Sequence, residues 1–149
     1  MKLSTKARYG IKAMVDLAVE YGNGPVSAAT LAAQQGISLA YLEQLIASLR
    51  KAGLISSVRG VQGGYVLSRS PELITVRQVL TALEGTTSLV DCVGYEATGC
   101  ENACTCSARP LWLKLQNRIN GVLDETTVKD MAEDYIKQKR RMNHDESLS

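Results

Sequence analysis

The sequence predicts a mainly α-helical fold with one small β wing and a long helix near its C-terminal end. Three observations predict it. Apolar residues recur at helical spacing through most of the chain. The clearest strand signal is a pair of short runs, 54–58 and 65–67, separated by a turn that contains Gly63 and Gly64. The composition, 45% apolar with one Trp and no Phe in 149 residues, requires an aliphatic core.

The elements follow in order. Ile11, Met14, Val15, Ala18 and Val19 give residues 3–21 the apolar stripe of an amphipathic helix. Gly22, Gly24 and Pro25 end it. Ser27 has the character of an N-cap for a short helix over 28–35, and Gly36 stands where a helix needs a residue with positive φ. Ile37 is the apolar residue of a tight turn. Ser38 caps a second helix running to about Ala52, with Leu42, Leu45, Ile46 and Leu49 facing inward and Gly53 as its stop. The strand-like runs then make a hairpin, a wing with Arg59 at its base. Leu73, Val76, Val79, Leu80 and Leu83 mark another helix over 73–83, closed by Gly85.

Two short helices about a glycine-containing turn, followed by a hairpin, form the pattern of a winged helix-turn-helix over residues 1–84. Residues 85–109 read as a loop that holds every cysteine. A long helix starts near Pro110, which suits a first turn, and Leu111, Leu115, Ile119, Val122 and Leu123 give it an apolar face. A short helix begins near Thr127, so dimerisation helices are expected over 110–136 and a charged, disordered tail over 137–149.

The net charge of +2 says little, but its distribution says more. Residues 1–80 carry nine Lys/Arg and four Asp/Glu; residues 81–149 carry eight and eleven. A basic first half is the footprint of a module that binds phosphates. The first residues lack the apolar run of a signal peptide, and no stretch approaches about 18 uninterrupted apolar residues. The expectation is a cytoplasmic protein without a membrane partner. In that compartment clustered cysteines bind metal or sense redox state more often than they form disulfides.

The second short helix is a candidate recognition helix for the major groove of double-stranded DNA. With its apolar stripe inward, Ala40, Tyr41, Glu43, Gln44 and Ser48 face outward. Gln pairs bidentately with adenine, Glu accepts from cytosine N4, and Ser or Tyr holds a phosphate. Arg59 suits a narrow minor groove. Lys6, Arg8 and Lys12 are candidate backbone contacts from the first helix. Tyr9 and Ser38 complete the candidate DNA-binding set of Lys6, Arg8, Tyr9, Ser38, Tyr41, Glu43, Gln44 and Arg59. Catalysis has no support: no nucleophile–base pair is evident, His144 is the sole histidine, and Gly63-Gly64 belongs to the wing.

Cys92, Cys100, Cys104 and Cys106 lie within fifteen residues. Thiolates are soft ligands for zinc or iron–sulfur clusters. The paired C-x2-C knuckles of structural zinc sites are absent. A disulfide or ordinary free thiols are the remaining readings of the spacing alone.

The segments LSTKARYGIKAM, GISLAYLEQLIASLRKAGLISSVRG, GGYVLSR and CSARPLW closely resemble iron–sulfur transcriptional regulators of the IscR and NsrR type, with the cysteine-metabolism repressor CymR as a relative. The resemblance covers about residues 1–130. It implies a homodimer that reads a partly palindromic operator, joined by the long helix after Pro110. It also implies an iron–sulfur cluster, 2Fe-2S or 4Fe-4S, on Cys92, Cys100 and Cys106. The fourth ligand of IscR, a histidine, corresponds to Arg109 here. That of NsrR, an aspartate of the partner subunit, corresponds to Arg8. Neither can ligate. Cys104 is the candidate substitute; a water, a small thiol or a remote side chain is the alternative. The resemblance further assigns Glu43 a part in discriminating between operator classes. The implied function is a repressor that senses cluster status. A thiol-redox or cysteine-metabolism repressor with a protein partner, and a nitric-oxide sensor using the same cluster, are the rival readings.

Overall fold

The computed structural model describes residues 3–89 and 106–148. The elements are α1 (Thr5–Val19), α2 (Ala28–Gln35), α3 (Leu39–Lys51), β1 (Ile55–Val58), β2 (Gly64–Leu67), a 3-10 turn (Pro71–Leu73), α4 (Val76–Glu84), α5 (Arg109–Glu125) and α6 (Val128–Leu148). The fold is mainly α with a small β wing. No helix among the described residues is long and apolar enough to cross a membrane.

Local chemistry sets the boundaries. The hydroxyls of Ser4, Ser27 and Ser38 accept hydrogen bonds from Ala7 N, Thr30 N and Tyr41 N, satisfying amides that a helix start otherwise leaves open. Gly36, at φ 66°, adopts the left-handed conformation that ends α2. Thr75 and Gln78 form a reciprocal capping box that starts α4. This box explains why the helix expected from Leu73 begins at Val76. Leu73 lies in the 3-10 turn and is 60% exposed.

α1 is central, touching α2, α3, α4, α6 and β2. Its buried face is therefore broader than one apolar stripe. Met14 and Val15 are buried as expected, but Ile11, Ala18 and Val19 are only half-buried. Ala7, Gly10, Ala13 and Leu17 complete the interior face. Small residues are needed there for close approach: a Cβ on Gly10 would lie 2.3 Å from Leu83 Cδ1.

β1 and β2 pair antiparallel, Ile55 opposite Leu67 and Val58 opposite Gly64. The hairpin is anchored by a pairing the sequence does not announce. Val26 N–H donates to Tyr65 O at 3.0 Å, and Tyr65 N–H to Val26 O at 2.8 Å. Gly64 permits this approach, since a Cβ there would lie 2.4 Å from Val26 O. Arg59 stands in the loop at the far end of the hairpin, directly after Val58, rather than at its base.

The short helix and disordered tail expected after Thr127 are instead one helix, Val128–Leu148. Thr127 and Asp130 exchange hydrogen bonds of 3.0 and 3.1 Å at its start. The segment contains neither Gly nor Pro, and Lys139 Nζ lies 4.5 Å from the Tyr135 ring centre one turn away.

Candidate nucleic-acid interface and cysteine segment

α3 divides its residues cleanly. Leu42, Leu45, Ile46 and Leu49 are buried, which fixes the rotation of the helix. Ala40, Glu43, Gln44 and Ala47 are exposed, and Tyr41 and Ser48 are half-buried. Glu43 and Gln44 therefore project to solvent from a rigidly seated helix, as reading base edges requires. Ser38 is exposed; its oxygen accepts from Tyr41 N at 3.1 Å, and its hydroxyl proton stays free to be donated.

Tyr9 and Tyr41 come together in an edge-to-face pair, with ring centres 6.2 Å apart at 88°. Lys12 Nζ lies 5.1 Å from the Tyr9 ring centre. Both tyrosines pack against the core. They brace α1 against the start of α3, whatever their hydroxyls touch. Lys6 is half-buried on α1. Arg8 is exposed there, and its Nη2 donates to Thr5 Oγ1 at 3.5 Å.

Most basic groups of the first half of the chain, Arg77 excepted, stay out of ion pairs with the described residues. Ion pairs among the described residues include Arg77–Asp124, Lys129–Glu72 and Lys129–Glu133. Lys6, Arg8, Lys12 and Arg59 belong to none of them. Sequence reasoning missed Arg50 and Lys51, at the far end of α3, and the exposed Leu39 at its start. Helical spacing from Glu43 and Gln44 is the signal that would have found the two cations.

Of the expected cluster ligands, Cys106 is described; Cys92, Cys100 and Cys104 lie outside the described residues. Cys106 is half-buried just before α5, and its carbonyl accepts from Arg109 N at 3.3 Å. Arg109 Nε is buried without a hydrogen-bond partner. A soft thiol at the positive end of a helix, with a guanidinium one turn on, is a donor environment suited to a negatively charged metal–sulfur group.

Gln116 on α5 is the residue that sequence reasoning had no means to find. It is 5% exposed. Its Oε1 accepts from Leu89 N at 2.6 Å, and its Nε2 donates to Thr87 O at 3.1 Å and to Asn120 Oδ1 at 2.9 Å. The backbone entering the cysteine segment is thereby fastened to α5. Nothing in the sequence distinguishes a buried Gln from the solvated ones around it.

At Asp16, burial raises the carboxyl above its usual range, against the opposing effects of a hydrogen bond from Gln35 and the nearby Lys139 charge. The group joins α1 to α2 and faces α6.

Residues 3–134 match the Rrf2 family, described as iron-dependent transcriptional regulators. The chain is 41% identical to the transcriptional regulator IscR of Aliivibrio salmonicida over 151 residues, covering all of this chain and 89% of the relative. It is also 41% identical to CymR of Bacillus subtilis over 132 residues, covering 89% and 90%. The solved structure of B. subtilis CymR, the global cysteine regulator, aligns with a TM-score of 0.77 over 89% of this chain and 97% of that one. T. potens IscR aligns with a TM-score of 0.75 at 44% identity, over 91% and 88%. The helix-turn-helix, its wing and these matches agree, and the chain belongs to the Rrf2 family of transcriptional regulators.

Proposed function

We propose that the protein is a homodimeric repressor that binds a partly palindromic operator and adjusts its affinity to the state of an iron–sulfur cluster. The reading is carried by one juxtaposition. Gln116 ties the backbone entering the cysteine segment to α5, and Cys106 stands at the foot of the same helix. α5 also presents Leu111, Leu115 and Val122 to solvent, spaced along one stripe and 52%, 41% and 63% exposed. Such a stripe suits the same stripe of a second copy, as in an isologous two-fold interface.

In this reading Cys92, Cys100 and Cys106 hold the cluster, and Cys104 supplies the fourth ligand that neither Arg8 nor Arg109 can. When bound, the cluster would supply a cross-link among thiolates that oxidants or nitric oxide can break. The chain does the rest. Gln116 and the start of α5 carry the position of the segment to the dimer helix. α4 and α1 carry it from α5 to the recognition helix. Two dimer geometries, one matched to the operator and one not, then differ in population. Glu43 and Gln44 read bases; Lys6, Arg8, Tyr9, Ser38, Tyr41 and Arg59 hold phosphates or the minor groove.

The test is the visible spectrum with iron and acid-labile sulfide assays on protein purified without oxygen. A brown protein with iron and sulfide in similar amounts is expected, and Cys104→Ala should alter its spectrum. A protein that stays colourless after anaerobic reconstitution refutes cluster sensing and leaves the DNA-binding assignment standing. A second reading, thiol-redox control with a protein partner, is favoured by the equal identity to CymR. It predicts a colourless protein whose DNA binding responds to peroxide.

A further inference from the structure

We propose that the hollow between the last turns of α3 and the wing is a seat for the DNA sugar–phosphate backbone, with Arg50 and Lys51 as its phosphate-binding residues and Tyr65 as a neutral donor. The proposal rests on the DNA-binding reading and deepens it.

The hollow, about 350 Å³, is lined by Glu43, Ile46, Ala47, Arg50, Lys51 and Tyr65. Residues 40, 43, 44, 47, 50 and 51 follow one another at helical spacing, and all six are exposed. A helix that sets Glu43 and Gln44 against base edges therefore carries Arg50 and Lys51 to the rim of the groove, where phosphates run. The wing forms the facing wall.

Arg50 is held for the purpose. Its Nη1 donates to Ser57 Oγ on β1 at 3.0 Å, which bridges helix and wing and leaves the rest of the planar guanidinium fork free. Neither Arg50 nor Lys51 belongs to an ion pair among the described residues. An unpaired fork beside an ammonium group calls for an oxyanion. Glu43 at the opposite end disfavours a free anion deep in the hollow. It thereby favours a phosphate positioned by a longer duplex, over the Arg50 and Lys51 end.

The same cations could merely stabilise the carboxyl end of α3, since both lie in its last turn. Salt dependence separates the two roles. Binding is measured by fluorescence anisotropy over a range of salt, with a duplex the protein selects from a random-sequence library and a scrambled duplex of equal length. Arg50→Gln and Lys51→Gln should each reduce the salt slope by about 0.9 per bound copy. Both duplexes should weaken by the same factor, so that preference is unchanged. Arg50→Lys should keep the slope, which guards against misfolding of the first variant. Tyr65→Phe should weaken both duplexes with the slope intact. Lys129→Gln, whose lysine pairs with Glu72 and Glu133, should behave as wild type. A full slope in both glutamine variants, or a loss confined to the selected duplex, would overturn the seat. A wild-type protein that enriches no duplex from the library and does not bind the scrambled one in any salt would instead refute the DNA-binding reading itself.

Discussion

The candidate recognition helix α3 and the long helix α5 are both amphipathic, yet they meet the rest of the chain differently. α3 puts all four of its leucine and isoleucine stripe residues, 42, 45, 46 and 49, into the core. α5 is longer, at 17 residues, but buries only Gln116. Leu111, Leu113, Leu115 and Val122 stay exposed. An apolar stripe seated on its own chain fixes a reading head. One left open is a contact still to be made, and an exposed apolar stripe is the usual mark of an association surface. The chain thus completes its helix-turn-helix half alone and leaves an apolar stripe of α5 uncovered, which the proposed dimer would bury.

The largest expected effect comes from breaking that contrast at its two ends. Leu49→Ala should destabilise the fold by about 2–5 kcal/mol in chemical denaturation, because a fully buried side chain is lost. Leu115→Asp should leave that half folded and abolish the concentration dependence of the melting temperature that a dimer shows. If Leu115→Asp sediments like wild type, α5 is not the dimer contact.

Next come the two glycines at close approaches. Gly64→Ala pushes a Cβ against the Val26 carbonyl, which the backbone pairing holds in place, and should cost about 1–3 kcal/mol. Gly10→Ala meets only the end of the Leu83 side chain, which can turn away, so its loss should be smaller. Equal losses would mean that the wing pairing to Val26 is not rigid.

Gln116→Leu keeps the volume but leaves the Leu89 amide and Thr87 carbonyl without this partner. A loss of about 1–3 kcal/mol is expected in denaturation, with faster amide exchange at Leu89. Unchanged exchange would show that the tie does not hold the segment.

The smallest effect is at Asp16. Its folded pKa is raised, so its contribution favours the fold below the unfolded value of 3.8 and is lost as pH rises through the folded pKa. The melting temperature of wild type relative to Asp16→Asn should therefore fall as pH rises above 3.8. A constant difference would contradict the sign.

What was legible in the sequence was what local chemistry encodes. Ser27, Gly36 and Ser38 each declare a helix end through a hydroxyl or a positive φ, and the structure uses all three that way. The aliphatic stripe of α3 was legible because one period fits one buried face. α1 was less so, because neighbours on several sides bury Ala7, Gly10 and Ala13, which carry almost no hydrophobic signal. The pairing of Val26 with Tyr65 is one residue long and has no period to detect. The tail after Lys137 looked disordered from its charge, but an unbroken run without Gly or Pro continues the helix begun at Val128. Arg50 and Lys51 share a helical face with Glu43 and Gln44, but spacing along one helix does not reveal the wing residues Ser57 and Tyr65 beside them, nor the Leu89 and Thr87 backbone that Gln116 holds.

In the proposed mechanism the cysteine segment governs the recognition helices through α5. This coupling is tested most directly by anisotropy titration of a selected operator duplex, first with protein purified anaerobically and then with the same protein stripped of iron. The account predicts that affinity, or the preferred duplex, changes by about 5–150-fold, the usual range of coupling between two sites. It also predicts that Gln116→Leu shrinks the difference. Identical titrations for the iron-loaded and stripped protein would contradict it.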